Sequence, residues 1–342
     1  MSFPNFFKKN KSILGVDIGT ANIKVAQVTQ GESPILETYG IVNIDSPLGG
    51  KSNEAAIEEM AGILKTLLNK AGVSTKKCVI SFPNSSVFTS VIELPIMKDE
   101  ELNTAVEYEA KKYVPLALAD IDLSWTVVAG EEASAQGKQK ILLTAVPKQI
   151  TQNYLKVFDL AGLQPQSGEI EALALIRSLI GEKQLNCVII DIGAKATGVN
   201  IIEKGFLRLS RNLNVGGDTI TNRISKSLNI SNFRAEQFKK DFGVSSGTFL
   251  PDAIRPVLNS IKTEVAKLLK IYQAQNIRVD SIFLVGGGSN LPGIVDFFSD
   301  LEIKVLLGDP YQAVGYNKNL ETILKRYSLS LPIAVGLALR KE

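Results

Sequence analysis

Asp17 and Gly19 stand in ILGVDIGTANIKVAQVT, and Asp191 and Gly193 in CVIIDIGAKATGVNII. Both runs share one arrangement: an apolar stretch, Asp-Ile-Gly, a short polar turn and a second alternating stretch. These residue types suit phosphate chemistry. Glycine lets backbone amides approach phosphate oxygens, and the preceding aspartate can hold a hydrated Mg²⁺ that bridges them. One such turn also fits an ordinary tight hairpin. Two of them in duplicated units point to facing loops that clamp a polyphosphate. A third cluster, Gly286, Gly287 and Gly288 in LVGGGSNLPGI, joins an apolar run to a helical one. Leu291 stands where a G-x-G-x-x-G site needs its last glycine, which disfavours a dinucleotide fold. The run offers either bare Cα surface to a nucleotide or a close-packed turn capped by Ser289 or Asn290. Gly216, Gly217 and Asp218 end a strand and start a helix, as a further phosphate contact or as a helix capped by Asp218. GGKS at 49–52 lacks the earlier glycine of a P-loop and reads as a helix-capping loop.

Composition narrows the chemistry. The 342 residues include no histidine, which removes Ser-His-Asp and Cys-His nucleophiles, imidazole acid–base work and histidine-bound metals. Two cysteines, Cys78 and Cys187, make neither a zinc site nor a disulfide framework; in strand-like runs they read as buried free thiols. A formal charge of +3 gives no electrostatic signature of a nucleic-acid binder. No apolar run is long enough for a membrane helix, and MSFPNFFKKNKS lacks the apolar core of a signal peptide, so a cytosolic protein is expected. Phe3, Phe6, Phe7, Lys8 and Lys9 are too short a segment for firm membrane anchoring.

The elements that must position these residues follow from periodicity. Two strands flank Gly19, a third covers 34–44, and a helix spans 54–71 behind a Ser52 or Asn53 cap, stopped by Gly72. KKCVISFP completes a β-β-β-α-β unit. Over 86–162 the texture changes to strand, charge-rich helix and two strands, with a further helix at 148–161; this reads as an inserted subdomain. From 187 the opening pattern returns, followed by helices at 218–228, 234–240 and about 252–276 and, at the end, the apolar helix of SLSLPIAVGLALRKE.

In this order, the pieces resemble the actin-like ATPase superfamily over nearly the whole chain. VDIGT and IDIGAKATGV resemble its two phosphate loops, LVGGGSNLPGI its adenosine motif, and EIEALALIR and LPIAVGLALR its two connecting helices. The inserted subdomain resembles that of the FtsA cell-division proteins and of the PilM family of type IV pilus proteins. DIGTANIKVAQV, AGLQPQSGEIEALALIR, VGGDTITNRI and the short length are most similar to PilM. The resemblance implies a two-lobed α/β fold of duplicated ribonuclease-H-like domains: subdomain 1A at 1–85, 163–185 and 326–342, an inserted 1C at 86–162, 2A at 186–214 and 281–325, and 2B at 215–280. It implies ATP or ADP with Mg²⁺ between the lobes, the metal held mainly through water by Asp17 and Asp191. Gly19, Thr20 and Gly193 match the phosphate loops, Gly216, Gly217 and Asp218 a further phosphate contact, and Gly286, Gly287 and Gly288 the adenosine turn. Glu236 and Lys239 match a helix touching the adenosine, and Glu171 a carboxylate that orients the attacking water. Ala194, Lys195 and Ala196 replace richer phosphate contacts, so slow turnover at most is expected. The implied partner is the N-terminal cytoplasmic peptide of a PilN-like inner-membrane protein, in a groove bordered by the insertion; pilus assembly ATPases and a platform protein are further partners. The protein would be cytoplasmic and reach the membrane through that partner. A filament-forming FtsA- or MreB-like ATPase and a small-molecule kinase are the alternatives.

Overall fold

The computed structural model describes residues 11–48, 52–128, 137–244 and 251–341. The aromatic-basic start, most of the GGKS run and much of the EEASAQGKQ turn lie outside the described residues. Strands β1 (Ser12–Ile18), β2 (Asn22–Thr29), β3 (Ile35–Asn43), β4 (Lys77–Phe82) and β8 (Gln164–Ile170) form one sheet in the order β3-β2-β1-β4-β8. Strands β9 (Cys187–Ile192), β10 (Thr197–Glu203), β11 (Phe206–Leu213), β12 (Ser281–Val285) and β13 (Lys304–Leu307) form a second, ordered β11-β10-β9-β12-β13. Each runs antiparallel through its first three strands and parallel through its last three. The internal duplication is therefore a duplication of topology.

Side-chain alternation divides each sheet between two cores, because successive residues of a strand point to opposite faces. In β1, Leu14 and Val16 face helix α1 (Glu54–Ala71) and helix α3 (Lys148–Leu160), whereas Ile13 faces inward. In β9, Cys187 and Ile189 face that same inner layer, while Val188 and Ile190 meet helices α5 (Gly217–Leu228) and α7 (Pro251–Ala274). The inner layer is made by helices α4 (Glu171–Leu179) and α10 (Pro332–Ala338), and every residue of α10 is buried. The backbones touch there. A Cβ on Gly336 would lie 1.9 Å from the Ala174 carbonyl oxygen, and one on Gly15 1.9 Å from that of Ala334. Helix α1 begins at Asn53, whose side chain accepts from the Ala56 N–H, and stops at Gly72 with φ 65°.

A third sheet, β5 (Phe88–Pro95), β7 (Lys138–Pro147) and β6 (Ile121–Val128) in the order β5-β7-β6, is antiparallel throughout. Helix α2 (Asp99–Tyr113) covers it through Leu102, Val106 and Ala110, a stripe at four-residue spacing. Two readings change here. The helix grouped with the insertion, α3, instead packs with the first sheet through Ile150, Tyr154, Val157 and Phe158. The polar run QPQSG, assigned no element from sequence, and Glu169 and Ile170, read as the start of a connecting helix, form β8. Proline and glycine are tolerated there because β8 is an edge strand.

Candidate functional site

The two Asp-Ile-Gly hairpins close identically. The Gly19 N–H donates to the Asn22 carbonyl at 3.0 Å, and the Gly193 N–H donates to the Ala196 carbonyl at 2.9 Å. Thr20 is half-buried in the first turn. Register sets what faces each aspartate: Asp17 stands opposite Lys24 on β2, whereas Asp191 stands opposite Gly198 on β10. Lys24 Nζ donates to Asp17 Oδ2 at 2.8 Å, and Ser81 Oγ donates to Asp17 Oδ1 at 3.0 Å, so both oxygens of this buried carboxylate are engaged.

Asp191 and Glu171 share this pocket of charge. Burial pushes the Asp191 carboxyl up to about 6, opposed by Lys24 and assisted by the charge of Asp17. Burial pushes Glu171 higher, to about 8, with the charges of Asp17 and Asp191 adding to it and the Asn84 N–H opposing it. That N–H donates to Glu171 Oε2 at 3.1 Å. Burial lowers the Lys24 pKa, but Asp17, Asp191 and Glu171 outweigh it, and the ammonium stays charged with a pKa above its usual value. The charges of three carboxyl groups thus act on one ammonium, and burial together with like charge favours the protonated form of Glu171. Lys24 was missed from sequence. The signal was available: in a hairpin closed by a turn of this length, the residue seven after the aspartate is its cross-strand partner.

The other predicted residues fall around this point in different roles. The Gly217 N–H donates to the Gly193 carbonyl at 2.9 Å, and the Asp218 N–H to the Ala194 carbonyl at 2.8 Å. These two amides hold the second hairpin against the start of α5. Asp218 is not the cap expected from sequence: the helix begins at Gly217, and Gly216 occupies the cap position. On helix α6 (Asn232–Phe242), Lys239 Nζ donates to Glu236 Oε2 at 2.6 Å, to Thr221 Oγ1 at 2.9 Å and to the Gly217 carbonyl at 3.2 Å. This fixes Glu236 and Lys239 beside the Gly216–Asp218 turn.

In the glycine run, Gly286 has φ 83°, and a Cβ there would lie 2.3 Å from Asp191 Oδ1. Gly288 would meet Ile192 at 2.3 Å, yet Gly287 has nothing within 4 Å. Gly286 and Gly288 are glycine because the turn packs on β9, and Gly287 presents bare backbone outward. Ser289 and Asn290 do not cap a helix; their side chains donate to the Val285 and Gly287 carbonyls inside the turn. Helix α8 (Ile294–Phe298) starts later, after Gly293.

Among the described residues, no group of three His, Cys, Asp or Glu side chains is arranged to hold a metal ion alone. The donor set fits hydrated Mg²⁺ all the same: hard carboxylate oxygens, Asp17 and Asp191, from both lobes, with ligands left for water and phosphate.

A second concavity, a groove of about 1030 Å³, lies between the three-stranded sheet and the first sheet, with Gly205 from the β10–β11 turn and Phe206 and Leu207 of β11 in the second sheet also lining it. From β7 and β4 its lining residues alternate: Leu142, Thr144 and Val146, and Ile80 and Phe82. From β6 and β8 they are consecutive, 122–128 and 165–170. Alternation marks a sheet face, and an unbroken run marks a strand whose backbone edge faces the space. Both β6 and β8 end their sheets, so the groove lies between two open edges. The insertion borders it through β6 and β7; neither β5 nor helix α2 lines it. Leu94 belongs to the small sheet's own core, Phe88 packs on that core, and Val91 packs on the inner layer.

Comparison with known proteins agrees on architecture. The profile of the family described as type IV pilus assembly protein PilM matches residues 15–342. A solved structure described as a PilM-PilN type IV pilus biogenesis complex superposes with a TM-score of 0.86 at 25% identity, covering 97% of this chain and 98% of that one. The cell division protein FtsA of Streptococcus pneumoniae is 27% identical over 349 residues, 87% of this chain and 75% of its own. MreB5 of Spiroplasma citri bound to AMPPNP shares the fold, with a TM-score of 0.56 at 15% identity over 96% and 95% of the two chains.

Proposed function

The chain belongs to the PilM family of type IV pilus assembly proteins, and from that premise we propose that it is an ATP-binding scaffold that captures an extended peptide of a PilN-like membrane protein. The observation that carries this reading is the groove between two open sheet edges. An extended segment laid there meets unpaired backbone on β6, on β8 or on both, with apolar side chains such as Leu155 and Leu173 nearby. Groove-lining charges are balanced: Asp122, Glu169 and Glu182 against Arg177, Arg340 and Lys341. Recognition therefore rests on main chain and apolar anchors, with weak dependence on salt.

The cleft takes ATP. Gly19, Thr20 and Gly193 present the phosphate loops, Gly216–Asp218 brace the second of them, Glu236 and Lys239 with bare Gly287 receive the nucleoside, and Asp17 and Asp191 hold hydrated Mg²⁺. Bound Mg²⁺ supplies positive charge that offsets the phosphates. Lys24 would donate to a phosphate oxygen, and Glu171, its proton released to solvent once bound cation offsets the neighbouring carboxylates, would orient a water. Hydrolysis is slow, because Ala194 and Ala196 bring no side-chain donor to the phosphates. Among the described residues no helix is long and apolar enough to cross a membrane. In this reading the scaffold meets its machine through the partner.

Calorimetry with a synthetic N-terminal peptide of a PilN-like protein tests the reading. One-to-one binding that Val127→Asp in β6 weakens about tenfold or more is expected. Undiminished binding to that variant would remove the peptide from the groove.

A further inference from the structure

The two hairpins are alike in length, closing bond and aspartate, and differ at the position opposite that aspartate: Lys24 in the first, Gly198 in the second. Gly198 has no room for a larger side chain without movement; a Cβ would lie 3.3 Å from Asn84 Nδ2 and 3.9 Å from Asp191 Cβ. One ammonium therefore serves both aspartates. It is bonded to Asp17, and the charges of Asp191 and Glu171 act on it as well. Its side chain is 15% exposed and that of Asp17 1%, so this ion pair is shielded from solvent, while Asp191 and Glu171 are half-buried beside it.

We propose that Lys24 is the resident counter-ion of the nucleotide-free cleft, excluding divalent cations from Asp17 and Asp191 until phosphate arrives. This rests on the ATP-binding reading above. A hydrated Mg²⁺ ion held beside Asp17 through its waters would share that carboxylate with an ammonium bonded to the same group, setting three positive charges together. Ser81 Oγ donates to the other oxygen, so each oxygen of Asp17 already accepts one hydrogen bond. A phosphate offers Lys24 a competing anion, which releases Asp17 Oδ2 and makes room for a hydrated cation. Metal thus enters only together with nucleotide.

Free Mn²⁺ measured by electron paramagnetic resonance tests this, with Mn²⁺ as the probe in place of Mg²⁺. Wild-type protein is expected to take up Mn²⁺ with ATP and to take up none without it. Lys24→Met is expected to bind Mn²⁺ without nucleotide at least about tenfold more tightly than wild type, and Lys24→Arg, which keeps the charge, to behave as wild type. Nucleotide-free Mn²⁺ binding by wild type as tight as that with ATP overturns the proposal without recourse to any variant. So does a folded Lys24→Met protein, verified by circular dichroism, that gains no Mn²⁺ affinity. Failure of wild type to retain ATP in equilibrium dialysis would instead overturn the nucleotide reading, which separates the two.

Discussion

Glu171 shows how position changes what a residue can do. On a helix face in sequence, it is a carboxylate like any other. In the fold it shares a desolvated pocket with Asp17 and Asp191, and burial together with those charges raises its pKa to about 8. A raised carboxyl binds its proton more tightly folded than unfolded, so its charged form opposes folding increasingly as pH climbs from the unfolded value, 4.5, towards 8. Glu171→Gln mimics the neutral form. Its melting temperature is expected to match wild type near about pH 5 and to exceed it by several degrees near about pH 9, as read by scanning calorimetry without nucleotide. A gain independent of pH would show that the carboxyl is not strained by its charge. The same variant is expected to keep ATP affinity while slowing phosphate release. Asp191 gives a companion measurement: Asp191→Ala is expected to weaken ATP·Mg binding by about tenfold or more and metal-free ATP binding far less. Equal weakening of both would remove Asp191 from the metal.

At the scale of elements, the glycine run between β12 and α8 separates two reasons for having no side chain. Gly286 sits in the left-handed region with Asp191 against it, so Gly286→Ala must strain the backbone and displace a carboxylate. A loss on the order of 2 kcal/mol or more in denaturant unfolding is expected. Gly287 faces open space, and Gly287→Ala is expected to leave unfolding unchanged while lowering nucleotide affinity in calorimetry. Unchanged affinity in that variant would move the nucleoside away from this turn. A comparable division appears in the third sheet. Its face on α2 forms a closed core, whereas its β6 edge is open to the groove.

Across the whole molecule, groove and cleft share strands. Ser81 of β4 bonds Asp17, while its neighbours Ile80 and Phe82 line the groove. Glu169 of β8 lines the groove, and Glu171 just beyond enters the cleft. Glu169 also accepts from Arg177 Nη1 and Nη2 at 2.7 and 2.9 Å and from Arg340 Nη1 at 3.1 Å, tying the chain after α10 to the groove's edge. Removing Arg177 leaves Glu169 with Arg340 as its remaining cation and takes away two charge-assisted hydrogen bonds. Arg177→Ala is therefore expected to destabilise the protein by about 2 kcal/mol in denaturant unfolding and to weaken the peptide as well. A surface change on α2, Tyr108→Ala, is expected to alter neither, because Tyr108 is exposed and lies outside the groove.

Periodicity and turn chemistry determined the duplicated β-hairpins, helix α1 with its Asn53 and Gly72 ends, and the positions of Asp17 and Asp191, because each depends on residues within one or two turns of chain. Edge position, register and long-range packing lay beyond that reach. QPQSGEI is a strand only because β4 offers it a neighbour; α3 belongs with the first sheet because its stripe meets α1. The amides of Gly217 and Asp218 are spent on the second hairpin because α5 begins against it. Only tertiary structure placed Lys24 among three carboxyl groups and set two open sheet edges across one groove. In both, the energetics come from groups far apart in sequence that share one desolvated space.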